Sequence, residues 1–219
     1  MTESRPFLLE EDIVHNPAKL FDQWFKEQER QSPKVLFDDG KNVALTTCVN
    51  NKPSTRMLQL KSYDNDGFTF CTSYNSRKGR ELDQNPNACM LFFWPKLHRQ
   101  VRVEGRAERI SEALAEEFWK GRPISARITC TVSQQSENLA SREEVERKTK
   151  EVEKLVEEKG EEAVPKPDYW GGYVLKPEYF EFWQGQTNRL HDRIVFTKER
   201  DDNAAKEVED GWFMKRLCP

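Results

Sequence analysis

Two periods of hydrophobic and polar residues alternate along the chain. Leu20, Phe21, Trp24 and Phe25 recur at helical spacing behind Asn16-Pro17, a capping side chain followed by a proline suited to a first turn. They predict a helix packed on a core by one face. From Asn42 the period drops to two, and Val43, Leu45 and Val49 fall on one face of a strand over 42–49. Asn50-Asn51-Lys52-Pro53 reads as a turn, 54–63 as a strand, Asp64-Asn65-Asp66-Gly67 as a second turn and 68–72 as a third strand. A short helix over 76–85 is capped by Ser76 and stopped before Pro86. Strands follow over 88–94 and 99–110. Ser111 then caps a helix carrying Leu114, Phe118 and Trp119, ended by Gly121 and Pro123. The last strands are expected over 172–183, 190–197 and 212–217.

Short strands, tight turns and few helices predict a mainly β fold, an antiparallel barrel. A charged helix over 141–159 interrupts the strands, and Pro165-Lys166-Pro167 closes it as a linker. Ser141 with Glu144 fits a capping box, and Glu143–Arg147, Glu144–Lys148 and Glu146–Lys150 have i, i+4 spacing. Its stripe of Val145, Val152 and Val156 lasts under three heptads, which suits a solvated surface helix better than a partner-binding coiled coil. Residues 1–16 are expected to be a separate N-terminal segment. Residues 17–219 are expected to form one domain that includes the 141–167 helix and linker.

Composition narrows the function. Of the 219 residues 33% are charged and 11% aromatic, which predicts a real core under a charged exterior. With 35 basic and 38 acidic residues the net charge is −3, so nothing draws the whole chain to nucleic acid or to an anionic membrane. Any anion must meet a local cluster of cations. The five cysteines, Cys48, Cys71, Cys89, Cys130 and Cys218, form no CxxC pair and are odd in number, as expected of free thiols in a reducing compartment. With His15, His98 and His191 they make no zinc spacing, so no metal site is expected. The longest apolar run, 89–94, is too short to span a bilayer, and 1–17 is acidic without an apolar signal; a cytoplasmic protein is expected.

Three constellations carry candidate chemistry. Ser76-Arg77-Lys78-Gly79 sets two cations at a helix start, where free N–H groups favour an anion. Arg56-Met57-Leu58-Gln59-Leu60-Lys61 places two cations in an apolar strand, on opposite faces if alternation is strict, so they need not share a ligand. Trp183 to Arg193 gathers an aromatic plane, amides, two arginines and His191 within eleven residues, a set able to read a planar ring and clamp a phosphate. The competing structural readings are a basic surface helix, an edge strand with solvated cations and a polar hairpin.

The third constellation, with Trp170-Gly171-Gly172-Tyr173 before it, resembles the C-terminal signature of the pyridoxamine 5′-phosphate oxidases. Arg56 to Lys61, Ser76-Arg77-Lys78, Arg99-Gln100-Val101 with Glu104-Gly105, and Val132 to Ser136 match further motifs of that family in order, from about Pro17 to Pro219. The resemblance implies a split antiparallel β-barrel with surrounding helices, a homodimer with FMN at the subunit interface. It implies that Arg56, Arg77 and Lys78 hold the FMN phosphate, with hydroxyl contacts from Thr72 and Ser136. Met57, Leu58, Gln59 and Cys71 would line the flavin, with Lys61 beside them. Gln100, Gln135, Trp183 and Arg193 would complete the cofactor site, partly from the other subunit. Lys61 and Arg122 would grip the substrate phosphate. Arg189 and His191, with Leu190 between them, would cover the substrate ring as the catalytic pair. The implied reaction moves hydride from the 4′ carbon of pyridoxamine or pyridoxine 5′-phosphate to the flavin, giving pyridoxal 5′-phosphate, with O2 reduced to H2O2.

Phe118 and Ala126 stand where the family usually has a tyrosine and a serine near the substrate phosphate. The basic, tyrosine-containing N-terminal segment of the family is not evident in 1–16, where Arg5 is the sole arginine. These departures motivate an alternative: a catalytically weak paralogue that keeps FMN or carries pyridoxal phosphate. A nucleic-acid-binding barrel is a third reading, disfavoured by the acidic balance.

Overall fold

The computed structural model of the protein describes residues 7–32, 40–200 and 203–219; Arg5 lies outside them. Helix α1 (Pro17–Gln31) starts as expected, with the Asn16 side chain accepting from the Lys19 N–H at 3.1 Å. Its apolar stripe is buried: Phe21 meets Tyr63, Phe68 and Phe92 with ring centroids 4.8–5.1 Å apart, all edge-on. Each aromatic buried this way contributes about 1.5–3 kcal/mol.

β1 (Asn42–Val49) and β2 (Lys52–Gln59) form a hairpin in full register, Asn42 opposite Gln59 and Val49 opposite Lys52. The turn between them is tighter than the sequence predicts. Asn50 and Asn51 both have positive φ (52° and 60°), the pattern of a two-residue turn, so Pro53 falls inside the edge strand rather than in the turn.

The strand expected over 54–63 is broken. β2 ends at Gln59 and β3 (Ser62–Asp64) pairs with β4 (Gly67–Ser73). Between them the consecutive amides of Leu60 and Lys61 point opposite ways, Leu60 N–H to the Lys41 carbonyl and Lys61 N–H to the Thr69 carbonyl, both at 2.8 Å. Alternating amides thus join β2 to the β3–β4 pair.

After helix α2 (Arg77–Gln84) come β5 (Asn87–Trp94) and β6 (Arg99–Arg109). Three helices follow: α3 (Glu112–Lys120), α4 (Ile124–Val132) and α5 (Arg142–Lys159). The chain closes with β7 (Trp170–Gln184), β8 (Asp192–Thr197), the short β9 (Lys206–Glu207) and β10 (Phe213–Arg216). All pairings are antiparallel, in the order β2-β1-β5-β6-β7-β8-β10-β9. β7 pairs with β6 along its length, and its other edge is divided between β4 at the start and β8 at the end. This division makes the architecture a split antiparallel β-barrel.

The barrel core holds Val43, Leu45, Phe70, Met90, Phe92, Val101, Val103, Leu175, Phe180 and Phe182 at 0% exposure, alternating along their strands except on β7, where the register shifts between Leu175 and Phe180. A second cluster joins Trp119, Ile128, Val164 and Trp170 under α3 to α5. Helix α4 was not expected from the sequence, where Gly121 and Pro123 end the preceding helix and 124–132 carries no predicted element. Pro123 stands just ahead of its first turn, and Ile128 docks into the second cluster.

Helix α5 buries no residue fully, and Ser141 caps it. Of its expected pairs only Glu144–Lys148 forms, at 2.6 Å. Arg142–Glu146 and Arg147–Glu151 replace the other two. Among the described residues no helix is long and apolar enough to cross a membrane.

Candidate functional site

The sequence Ser76-Arg77-Lys78-Gly79 builds the first wall of the site. Ser76 is fully buried as the cap of α2 and its hydroxyl accepts from the Gly79 N–H at 3.3 Å. A Cβ on Gly79 would stand 2.1 Å from the Tyr74 carbonyl oxygen, so only glycine lets the helix start this close to β4. Arg77 and Lys78 therefore sit at a fixed helix N-terminus beside the end of β4.

Arg56 reaches the same place from β2. Its guanidinium donates to Glu81 at 2.9 Å, to Thr47 Oγ1 at 2.7 Å and to Ser54 Oγ at 2.7 Å, while Arg77 donates to the other Glu81 oxygen at 2.8 Å. Burial alone would raise the Glu81 pKa; hydrogen bonds from Thr47, Arg77 and Arg56 outweigh it and hold the carboxyl below its usual range. Lys78 Nζ donates to Thr72 Oγ1 at 3.0 Å and to Gln135 Oε1 at 3.1 Å. Burial, then the charge of Arg56, push its pKa down to about 8.

Arg56, Arg77 and Lys78 line one cavity of about 550 Å³ together with Met57, Leu58, Cys71, Thr72, Gln135 and Ser136. Nine residues singled out from the sequence thus meet around one space. Three cations against the single carboxylate Glu81 leave a surplus of two positive charges.

A second cavity, of about 160 Å³, shares Cys71, Thr72 and Gln135 as its wall and is lined on the far side by Arg122, Trp170 and the α4 residues Thr129 and Cys130. Arg122 lies over the Trp170 ring at 5.2 Å and donates to Cys130 Sγ at 3.5 Å, but its buried Nε has no hydrogen-bond partner. Such an orphaned donor costs about 1–3 kcal/mol until something accepts from it. Lys61, at the break after β2, stands 5.0 Å over the Phe118 ring. Burial pushes the Cys71 thiol up to about 11, while the charges of Arg122 and then Lys61 pull it down, which places both cations around this thiol.

Lys61 and the remaining predicted residues line neither cavity. Gln59 lies at the end of β2, opposite Asn42. Gln100, Trp183 and Arg193 form one row across β6, β7 and β8. Arg193 donates to Glu181 at 2.8 Å and to the Cys218 carbonyl at 2.9 Å. His191 packs against Trp183 at 4.8 Å, and its Nδ1 accepts from the Gln186 N–H at 3.0 Å. Arg189 (φ 66°) and Leu190, 65% exposed, form the tip of the loop before β8. On β7, Gly172 pairs with Cys71 and Trp183 with Gln100, eleven residues apart. At about 3.3 Å per residue that is about 36 Å of strand. Within one chain the two groups of residues occupy opposite ends of β7.

The sequence reading did not assign Ser54 and Thr55 to the first cavity, nor Glu81 as the carboxylate behind its arginines, and it did not assign Ser73, Thr129, Cys130 and Ser133 to the second. Glu81 was within reach, being four residues after Arg77 on a predicted helix. The α4 residues were not, because that helix carried no periodic signal.

Comparison with known proteins identifies the family. Residues 35–155 match the family described as pyridoxamine 5′-phosphate oxidase, and residues 170–219 match the pyridoxine 5′-phosphate oxidase C-terminal dimerisation region. A pyridoxine-5′-phosphate oxidase of Bos taurus is 46% identical over 211 residues, covering 93% of this chain and 78% of that protein. A pyridoxine/pyridoxamine 5′-phosphate oxidase of Janthinobacterium is 43% identical over 212 residues, 97% of this chain and 93% of that one. Among solved structures, PhzG from Burkholderia lata, in complex with tetrahydrophenazine-1-carboxylic acid, superposes with a TM-score of 0.83 at 28% identity, covering 99% and 100% of the two chains. The chain belongs to the pyridoxamine 5′-phosphate oxidase family.

Proposed function

We propose that the protein is an FMN-dependent oxidase that converts pyridoxamine and pyridoxine 5′-phosphates to pyridoxal 5′-phosphate in the cytoplasm, with O2 as electron acceptor and H2O2 as by-product. The observation that carries this reading is the pair of cationic cavities sharing the Cys71, Thr72 and Gln135 wall. The reaction needs two phosphate esters held side by side. The surplus of two charges around Arg56, Arg77 and Lys78 matches one phosphate dianion. The orphaned Nε of Arg122, with Lys61 nearby, suits a second.

The residues present fit FMN. Arg56, Arg77 and Lys78 hold its phosphate at the start of α2, with Thr72 and Ser136 as hydroxyl partners, and Met57, Leu58 and Cys71 border the ring. Bound there, the isoalloxazine supplies the two-electron chemistry, and the protein supplies binding and orientation. Lys61 and Arg122 hold the substrate phosphate in the smaller cavity.

The other half of each site comes from a second copy. Ligands bridging these cavities are far shorter than the strand between the two residue groups, so Gln100, Trp183, Arg189, His191 and Arg193 reach them from the partner subunit. The matched dimerisation region supports this assembly. So do Met57, 64% exposed, and Phe93, 58% exposed, large apolar side chains left on the outside of the sheet. Residues 17–219 act as one unit in this arrangement.

Purified protein tests the reading directly. It should be yellow, and anaerobic addition of pyridoxamine 5′-phosphate should bleach it, with H2O2 appearing once air is admitted. Colour that persists at saturating substrate overturns the oxidase reading. Phe118 and Ala126, which bring no hydroxyl to the smaller cavity, would then favour the weakly active paralogue.

A further inference from the structure

Asp192 opens β8 between His191 and Arg193, and its side chain is 9% exposed. Both of its oxygens are used. Oδ1 accepts from Arg216 Nη1 at 2.8 Å and Oδ2 from Gln186 Nε2 at 2.8 Å. Gln186 in turn donates its backbone N–H to His191 Nδ1 at 3.0 Å. An imidazole nitrogen that accepts a hydrogen bond carries no proton, so the neutral ring keeps its hydrogen on Nε2. The remaining donors of Arg216 go to the N-terminal segment: Nε to Glu10 Oε1 at 2.8 Å, and Nη2 to Glu10 Oε2 at 2.9 Å and to the Leu8 carbonyl. A continuous line of polar contacts therefore runs from residues 8–10 through Arg216, Asp192 and Gln186 to the His191 ring.

We propose that Asp192 and Arg216 are positioning residues that set the orientation and tautomer of His191, and that the N-terminal segment forms the outer end of this control. The inference rests on the reading that His191 covers the substrate. The loop needs such support. It has no regular pairing, Arg189 is in the left-handed region, and Leu190 points into solvent. The tilted contact with Trp183, 44° between the ring planes, restrains the His191 ring but leaves open which nitrogen holds the proton. Among the described residues the Gln186 amide is the group that selects the tautomer, and Asp192 anchors Gln186 through its side chain. Asp192 is a buried carboxylate, and Arg216 is its ion-pair partner.

The test uses full-length, FMN-loaded protein with nitrogen-15 label. Its three histidines are resolved by imidazole correlation spectra recorded where the rings are neutral, and His191 is assigned by its loss in His191→Gln. The native protein should show His191 as a single Nε2–H tautomer. Gln186→Ala and Arg216→Ala should show mixed tautomers. The same two variants should lose kcat/KM by about tenfold, as expected when a group at the reacting centre is misoriented, with FMN retention unchanged. Arg216→Lys, which keeps the charge, should recover part of both effects, and Glu10→Ala should give a weaker version of Arg216→Ala. A His191 tautomer that is unchanged in both Gln186→Ala and Arg216→Ala overturns the proposal. The spectra need no turnover, so a native protein with the expected tautomer and no bleaching by substrate would count against the oxidase reading alone.

Discussion

Arg56 on β2 and Glu81 on α2 meet at 2.9 Å across 25 residues of sequence, and neither side chain is more than one-fifth exposed. Glu81 also takes Arg77 and the Thr47 hydroxyl. One carboxylate therefore keeps two arginines apart from each other and aimed along one wall. Removing it leaves two like charges close together. Glu81→Ala should cost the FMN-free protein about 1–3 kcal/mol, less than a fully buried pair because water reaches Arg77. Saturating FMN should shrink the loss, since its phosphate takes over as counter-ion. Thermal melts with and without FMN check this; an equal loss in both would place Glu81 outside the phosphate's surroundings.

Lys78 makes FMN binding depend on pH. With its pKa held near 8 instead of the ordinary 10.5, the lysine is penalised while charged in the empty site. The FMN-free protein should gain stability as pH rises from about 8 toward 10.5, because the unfolded chain binds the extra proton over that window. FMN affinity has the opposite sign. The phosphate is a dianion above about pH 6 and favours charged Lys78. Affinity should hold up to about pH 8 and fall above it, by up to tenfold per unit. Flavin fluorescence titrations across this range measure it, and Lys78→Met should flatten the profile.

Arg193 and Arg189 should separate cleanly. Arg193 is fixed by Glu181, whose hydrogen bond raises its pKa, and it shares a row with Trp183 and Gln100. Arg189 sits at a loop tip. Arg193→Ala should lower FMN retention, whereas Arg189→Ala should mainly raise the substrate KM. Dialysis followed by flavin absorbance, run beside steady-state kinetics, tests the pair. Equal loss of FMN in both would undo the assignment.

Phe118→Tyr and Ala126→Ser restore hydroxyls near Lys61 and Arg122. Each neutral hydrogen bond is worth about 0.5–1.5 kcal/mol, so each change should lower the substrate KM by roughly two- to tenfold. An unchanged KM in the double variant would mean that the substrate phosphate is held elsewhere.

Much of this was legible in the sequence because the signals are local. Asn16, Ser76, Ser111 and Ser141 all cap the helices they announce. The alternation at Val43 and Leu45 places both in the core. The cations of 56–61 and 77–78 are conspicuous because apolar strands and first helical turns rarely carry them. What escaped was decided by tertiary context. Helix α4 is made by docking of Ile128 into the second cluster, and the break at Leu60–Lys61 by barrel closure. Alternation already set Lys61 and Arg56 on opposite faces, but it could not show that Lys61 would lie over the Phe118 ring. Asp192 passed as one more charge in a polar stretch, since its partners Gln186 and Arg216 lie on either side of it and only folding joins them.

The length of β7 has a genetic consequence. On the proposed assembly, each site takes its phosphate-binding wall from one chain and its ring-covering residues from the other. Two different crippled alleles, one altered at Arg56 and one at Arg193, would then rescue each other. Random mixing gives half mixed dimers, each with one site free of both lesions, so about a quarter of all sites would work where either allele alone gives none. Inheritance of defects in this protein would depend on which end of one strand each lesion strikes.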